Sequence, residues 1–232
     1  MNTNGMNQEM NQYYVDREAV VRKTMVGVYG WMTLALIISA VSGIYLASNY
    51  QLLYTLVSSS LYWVFAIAEI VVVIALSAKA AKMSPLSAKI WFIVYALLNG
   101  VTFGVIFAAY DIGTVGYAFL VTAIVFAVMT VYGYVTKTDL SSIGNLFVMA
   151  LFGLMIATVL NFFIRSDGWT LALMYIGVVI FIGLIGYDTQ KIKQLAYHEG
   201  NGVQNASILG ALVLYLDFIN IFIRLVRIMD RD

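Results

Sequence analysis

Three carboxylates lie in stretches that are otherwise apolar, and they are the residues best placed to do chemistry. Asp217 sits in Leu214-Tyr215-Leu216-Asp217-Phe218-Ile219-Asn220, with Asn220 and Arg224 at i+3 and i+7. On a helix those offsets share one face. An Asp or Arg at the centre of a membrane helix costs about 2.5–3.5 kcal/mol on the insertion scale. The face of Asp217, Asn220 and Arg224 is therefore expected to turn inward as a polar seam. It could also be a hydrogen-bond network that only fixes packing. Asp188 follows Gly186-Tyr187 and precedes Thr189-Gln190-Lys191. By position it is a span-end residue, and an interfacial charge beside Lys191 would suffice to explain it. Glu69 is surrounded by Ala66, Ala68 and Val72. It reads either as an ion-path ligand or as a buried neutral acid bonded to a neighbour. Asn99 and Asn161 are neutral companions in other apolar runs.

The chemistry open to such acids is narrow. Two carboxylates brought together cannot both ionise cheaply, so a pair can share one proton. When ionised, the pair attracts a divalent cation, and Ca²⁺ prefers oxygen ligands of this kind. If Asp188 and Asp217 met, they would form a proton-operated switch and a transient calcium site.

The elements that must position them are membrane helices. Hydrophobic residues make up 62% of the 232-residue chain and charged residues 11%. A soluble domain is nearer about 25% charged. The apolar residues fall in blocks long enough to cross a bilayer core, which takes about 20 residues of helix. Seven spans are expected, at Val26–Ala47, Leu61–Ala78, Ile90–Tyr110, Val115–Tyr134, Ile143–Ile164, Thr170–Tyr187 and Ala206–Ile223. Residues 1–25 form an N-terminal segment, expected to be cytoplasmic and partly disordered, and residues 26–232 a single transmembrane domain. The longest connection, about Asp188–Asn205, is too short for a domain of its own. With the N-terminus inside, Arg17, Arg22, Lys23, Lys79, Lys82, Lys89, Lys137, Lys191 and Lys193 face the cytoplasm, against Arg165 outside. That asymmetry follows the positive-inside rule. Arg224, Arg227 and Arg231 strain it if the last segment crosses fully, and a re-entrant last segment would relieve it. Gly100 and Gly104 form a GxxxG pair, and Gly183 and Gly186 lie one turn apart, as close helix contacts require.

Several functions are disfavoured. There is no cysteine, so no disulfide, thiolate metal site or cysteine nucleophile. The one histidine, His198, is expected in a loop without a partner constellation. No Walker loop, HExxH or GxSxG pattern is present. The net charge of +1 gives no reason to expect nucleic acid. No enzyme and no resident cofactor are expected.

Three stretches resemble the Bax inhibitor/YccA family in order and spacing. The first is Phe119-Leu120-Val121-Thr122-Ala123-Ile124-Val125-Phe126, continued by Tyr132-Gly133-Tyr134 and Thr136-Lys137-Thr138-Asp139-Leu140-Ser141. The others are Tyr187-Asp188-Thr189-Gln190 and Leu214-Tyr215-Leu216-Asp217-Phe218-Ile219-Asn220. The likeness covers essentially the chain after residue 20. It implies seven helices with the last one central and surrounded by the other six. It also implies a pH-sensitive calcium leak, with Asp188 and Asp217 as the sensing pair and an acid matched at Glu69. Some members of the family are linked to cell-death suppression or to control of a membrane protease. Bacterial members can carry an arginine at the inner end of the second helix that latches onto the aspartates. Here that region is Ser77-Ala78-Lys79-Ala80-Ala81-Lys82. Lys79 or Lys82 would have to serve, without the planar fork that holds carboxylates bidentately.

The leading expectation is a passive, proton-gated calcium conduit in a bacterial cell membrane, with calcium as the transported ion and protons and the lipid bilayer as its other partners. The alternative is a non-conducting regulator that binds a membrane protease or another membrane protein.

Overall fold

The computed structural model describes residues 3–199 and 205–231, with the side chains of 3–15, 62, 81 and 199 outside the description. Among the described residues there are eight α-helices and no strand. They are α1 (Thr3–Ser48), α2 (Tyr50–Ser58), α3 (Leu61–Lys79), α4 (Pro85–Ala109), α5 (Ile112–Val135), α6 (Ser141–Ile164), α7 (Asp167–Glu199) and α8 (Ala206–Met229), with a 3-10 turn at Ala80–Lys82 before α4. Six of these helices are long and apolar enough to cross a membrane, and up to seven if α2 and α3, bent by 81° at their junction, count as one span.

Local signals explain the boundaries. Ser84 accepts from the Ser87 N–H at 3.3 Å with Pro85 beginning α4, and proline suits a first turn because its missing N–H has no partner there anyway. The Asp111 carboxylate accepts from the Gly113 and Thr114 N–H groups at 2.8 and 3.2 Å and starts α5. Asn205 adopts a left-handed backbone, φ 67°, before α8, a conformation asparagine tolerates better than most residues.

Helical length outruns apolar length at two places. Thr3–Ser48 is one helix, so no break in it marks residue 25. Residues 1–2 lie outside the described residues. Likewise α7 continues to Glu199, so much of the expected Asp188–Asn205 connection is helix. His198 therefore occupies the last turn of α7, exposed, rather than a loop.

One end of the bundle is tied together and is rich in cations. Arg17 donates to the carbonyls of Tyr197 and His198 at 2.9 and 3.0 Å, joining α1 to α7. Lys193 donates to the Tyr134 carbonyl at 2.7 Å, joining α7 to α5. The Asn205 amide donates to the carbonyls of Ala80 and Met83 at 2.8 and 3.0 Å. Helices α1 and α4 run parallel from this basic end. Ser39 meets Ala96, and further along Gly43 faces Phe103 and Gly104 faces Leu46. The chain must return the length of the bundle between them, and α3, with 19 residues, makes that return.

Packing divides into two groups around α8. Helix α4 packs along α1 and also against α3, while α5 and α6 both pack against α7. α8 packs against α1, α5, α7 and, more lightly, α4. Of the most apolar 18-residue stretch of each helix, 61% is buried in α8 and 6% in α6. α8 is an unbroken 24-residue helix, with no turn back midway.

The GxxxG pair of α4 does what such pairs do in lipid, bringing two backbones together. A side chain at Gly100 would fall on Ser42, 2.7 Å from its Cβ, whereas Gly153 on α6 has nothing within 4 Å. Gly100→Val should therefore destabilise the detergent-solubilised protein by about 1–3 kcal/mol, the usual range for overpacking. Gly153→Ala should be neutral or stabilise by up to about 1 kcal/mol. Thermal unfolding of the two variants side by side checks both.

Candidate functional site

Asp188 and Asp217 meet across the contact between α7 and α8. Their carboxyl groups lie within hydrogen-bonding reach of each other and line one cavity of about 540 Å³. Asp217 is 4% exposed, and its Oδ2 is buried without a hydrogen-bond partner. Two ionised carboxylates cannot bond to each other, because neither has a donor. A proton placed between them supplies the missing donor.

Asn220 and Arg224 line the same cavity as the two acids. The Asn220 amide donates to the Leu216 carbonyl at 2.9 Å. The Arg224 guanidinium donates to the Asn220 backbone and side-chain oxygens at 3.0 and 2.9 Å and lies 5.0 Å from the centre of the Phe181 ring. It rests against Gly177 of α7, where any side chain would displace it. Seven residues separate Arg224 from Asp217, about 10 Å along the helix axis. The positive charge thus shares the cavity with the acids, set toward the end away from the basic one. The remaining cavity wall is mostly apolar, with Thr158 of α6 the other polar contributor.

α7 runs unbroken past Asp188 to Glu199, so Asp188 lies within the helix rather than at its end. The lysine acting on it is Lys191, one turn along the same helix and 5.3 Å from the centre of the Tyr187 ring. Lys79 and Lys82 are exposed, and no ion pair joins either to Asp188 among the described residues. Helix α3 leans on α4, and the turn that follows it, Ala80–Lys82, packs against the start of α8.

Glu69 belongs to a different polar system. Its Oε2 accepts from the Thr102 hydroxyl of α4 at 3.3 Å, and it lies near Tyr95 and Tyr215. Tyr215 is fully buried, with its hydroxyl 2.6 Å from that of Ser39. Residues two apart on a helix point about 200° apart. Tyr215 and Asp217 thus set two polar clusters on opposite sides of α8, toward α1 and α4 and toward α7. Composition pointed to the acids, but Ser39 and Tyr95 carried no signal beyond being polar atoms in apolar runs.

The connection from α5 to α6 is fixed by Gln190, two residues beyond Asp188. Its side chain accepts from the Leu140 N–H at 2.9 Å and donates to the Thr138 carbonyl at 2.8 Å. In the same connection, hydrogen bonds from Ser141 hold the Asp139 carboxyl below the usual carboxylate range. Its contribution is present above its ordinary pKa and is lost only as the pH falls through the lowered value. Asp139 therefore cannot be the source of a response near neutral pH.

The sequence profile of the family described as "Inhibitor of apoptosis-promoting Bax1" matches residues 21–232. The chain belongs to the Bax inhibitor family. Within it, this chain is 40% identical to the inner membrane protein YbhL of Escherichia coli over 219 residues, 92% of this chain and 94% of that one. An uncharacterised protein of Rickettsia prowazekii is 36% identical, covering 90% of this chain and 89% of its own. A membrane protein of Streptococcus pyogenes is 41% identical over 174 residues, 74% of this chain and 75% of its own. Together with the apolar helices, these relatives make it a membrane protein.

In this family member Gln190 is 6% exposed, so its loss would strand a buried N–H and a carbonyl. Gln190→Leu should destabilise by about 2–3 kcal/mol, the scale of losing partners for buried polar groups. It should also raise hydrogen exchange at residues 136–141 before other regions. Thermal unfolding together with exchange mass spectrometry checks both parts.

Proposed function

We propose that this protein is a pH-gated calcium leak in which a proton shared by Asp188 and Asp217 closes the path. The reading also takes α2 and α3 together as one span, giving seven, with α8 as the central helix and the basic end of the bundle in the cytoplasm. The parallel course of α1 and α4 supports the seventh crossing. The excess of Lys and Arg at one end supports the orientation.

The observation that carries the gating reading is the partnerless Oδ2 of Asp217 beside Asp188 in a cavity walled by lipid-soluble side chains. At low pH one proton bridges the acids and ties α7 to α8. Raising the pH withdraws it. Two adjacent negative charges then repel, which loosens the α7–α8 contact, and they attract a divalent cation. Two carboxylates fall short of the 6–8 oxygens, on the order given for calcium, that a resident site provides. Calcium is accordingly the passing substrate, with water and the Asn220 carbonyl completing its shell. Lys191, one turn from Asp188 on the same helix, is a further candidate for the latch role expected of Lys79 or Lys82.

The test is calcium flux into proteoliposomes from about pH 6 to about pH 8, the range in which functional carboxyls in such sites titrate. Wild-type flux should rise with pH, and Asp188→Asn and Asp217→Asn should each reduce the rise to less than about twofold, because a one-proton switch is what gives the steep dependence. His198→Gln, which removes the one imidazole of the chain, should keep the wild-type profile. A wild-type profile in both aspartate variants would refute the gating. Absence of flux from the wild-type protein at every pH would favour the non-conducting regulator instead.

A further inference from the structure

Between α1, α5 and α7, at the basic end, lies a site that the aspartate pair does not use. A polar cavity of about 600 Å³ is lined by Arg22, Lys193, Tyr134, Tyr197 and Glu18. Arg22 and Tyr134 also line a second cavity of about 340 Å³, so the two adjoin. That second cavity is apolar along Val26, Val131 and Val135, which are 67%, 60% and 62% exposed on the outside of the bundle. At its inner wall the Tyr29 hydroxyl lies next to those of Thr130 and Thr189. These three hydroxyls are buried together, and none makes a well-formed hydrogen bond among the described residues. Buried polar groups without partners are uncommon and mark a missing ligand or water.

We propose that this groove holds one anionic glycerophospholipid of the leaflet at the basic end. Each part of such a molecule meets its complement. The phosphate lies between the Arg22 guanidinium and the Lys193 ammonium. The glycerol ester region lies beside Tyr29 and Thr130, which line the second cavity. An acyl chain runs along Val26, Val131 and Val135. Lys193 is already placed, since it donates to the Tyr134 carbonyl and sits 4.7 Å from the centre of that ring. Neither partner carries a full negative charge, so its own charge stays available to a phosphate. Among the described residues Glu18 is the one acid lining the site, and it lies one turn from Arg22, so it weakens the attraction. A soluble anion would use the two cations alone. The apolar groove that adjoins them selects a lipid. Because α1, α5 and α7 converge here, the bound molecule would tie together the helices that flank the gating contact.

Native mass spectrometry of protein released from nanodiscs of equal phosphatidylglycerol and phosphatidylcholine reads the proposal directly. Wild type should retain phosphatidylglycerol in preference. Two basic residues at an anionic surface are together worth roughly thirty-fold in affinity, so Arg22→Gln with Lys193→Gln should lose most of that preference. Arg22→Lys with Lys193→Arg should restore it, Val131→Trp should lower retention by filling the groove, and Glu18→Gln should raise it. Lys79→Gln with Lys82→Gln, at the same end but outside the site, should change nothing. Equal loss in that control pair would show a general attraction of the basic end, and would overturn the site. Thermal protection by inorganic phosphate as large as that by phosphatidylglycerol would overturn the lipid. Retention unaffected by either Arg22→Gln with Lys193→Gln or Val131→Trp would overturn it as well.

Discussion

A carboxylate inside an apolar bundle has few ways to persist, and the architecture around α8 follows from that constraint. An isolated ionised carboxylate in low dielectric is held only if a cation, a proton or several donors come to it. Asp217 has no donor on Oδ2, no lysine or arginine in hydrogen-bonding contact among the described residues, and one neighbour of its own kind, Asp188. The pair has two economical states: one proton shared, or two charges balanced by a divalent cation. Lys191 adds a cation near Asp188, and under the proposed gating the alternation between those two states would couple proton concentration to cation passage. The same constraint explains why α8 is the most buried spanning helix, because its polar face cannot be shown to lipid.

Two polar systems on opposite faces make α8 a lever with different loads. On one side Tyr215 is locked by Ser39 and by edge contacts with the rings of Phe92 and Tyr95 at 6.0 and 5.9 Å. That network is neutral apart from Glu69 at its margin, and it anchors α8 to α1 and α4. On the other side Asp217, Asn220 and Arg224 border open volume. Packing is tight where α8 is anchored and loose where its charge can change. A change of protonation would therefore move the α7 side and leave the α1–α4 side in place.

Hydropathy read most of the elements and chemistry read the acids, but adjacency was beyond both. The spans expected from Val115, Ile143 and Ala206 agree closely with α5, α6 and α8 at their starts, because apolar length and helix length coincide there. They part at α1 and α7, where the helix continues into polar sequence that hydropathy reads as connection. Asp217, Asn220 and Arg224 could be placed on one face because i, i+3 and i+7 are local geometry. That Asp188 meets Asp217 followed only from a family likeness. That the turn carrying Lys82 packs against the start of α8 is a tertiary fact with no local signature. The hydroxyls of Tyr29, Thr130 and Thr189 were missed for the same reason, since three helices supply them.

The central claim is that Asp188 and Asp217 hold one proton between them. Infrared difference spectroscopy of the reconstituted, carboxyl-labelled protein during a pH titration measures that proton without relying on transport. The account predicts a protonated-carboxyl band that is present at low pH and lost as the pH rises. It also predicts that the band changes in both Asp188→Asn and Asp217→Asn, since either substitution breaks the shared site. A band that stays unchanged in both variants, or the absence of any titrating carboxyl band in the wild-type protein, would contradict it.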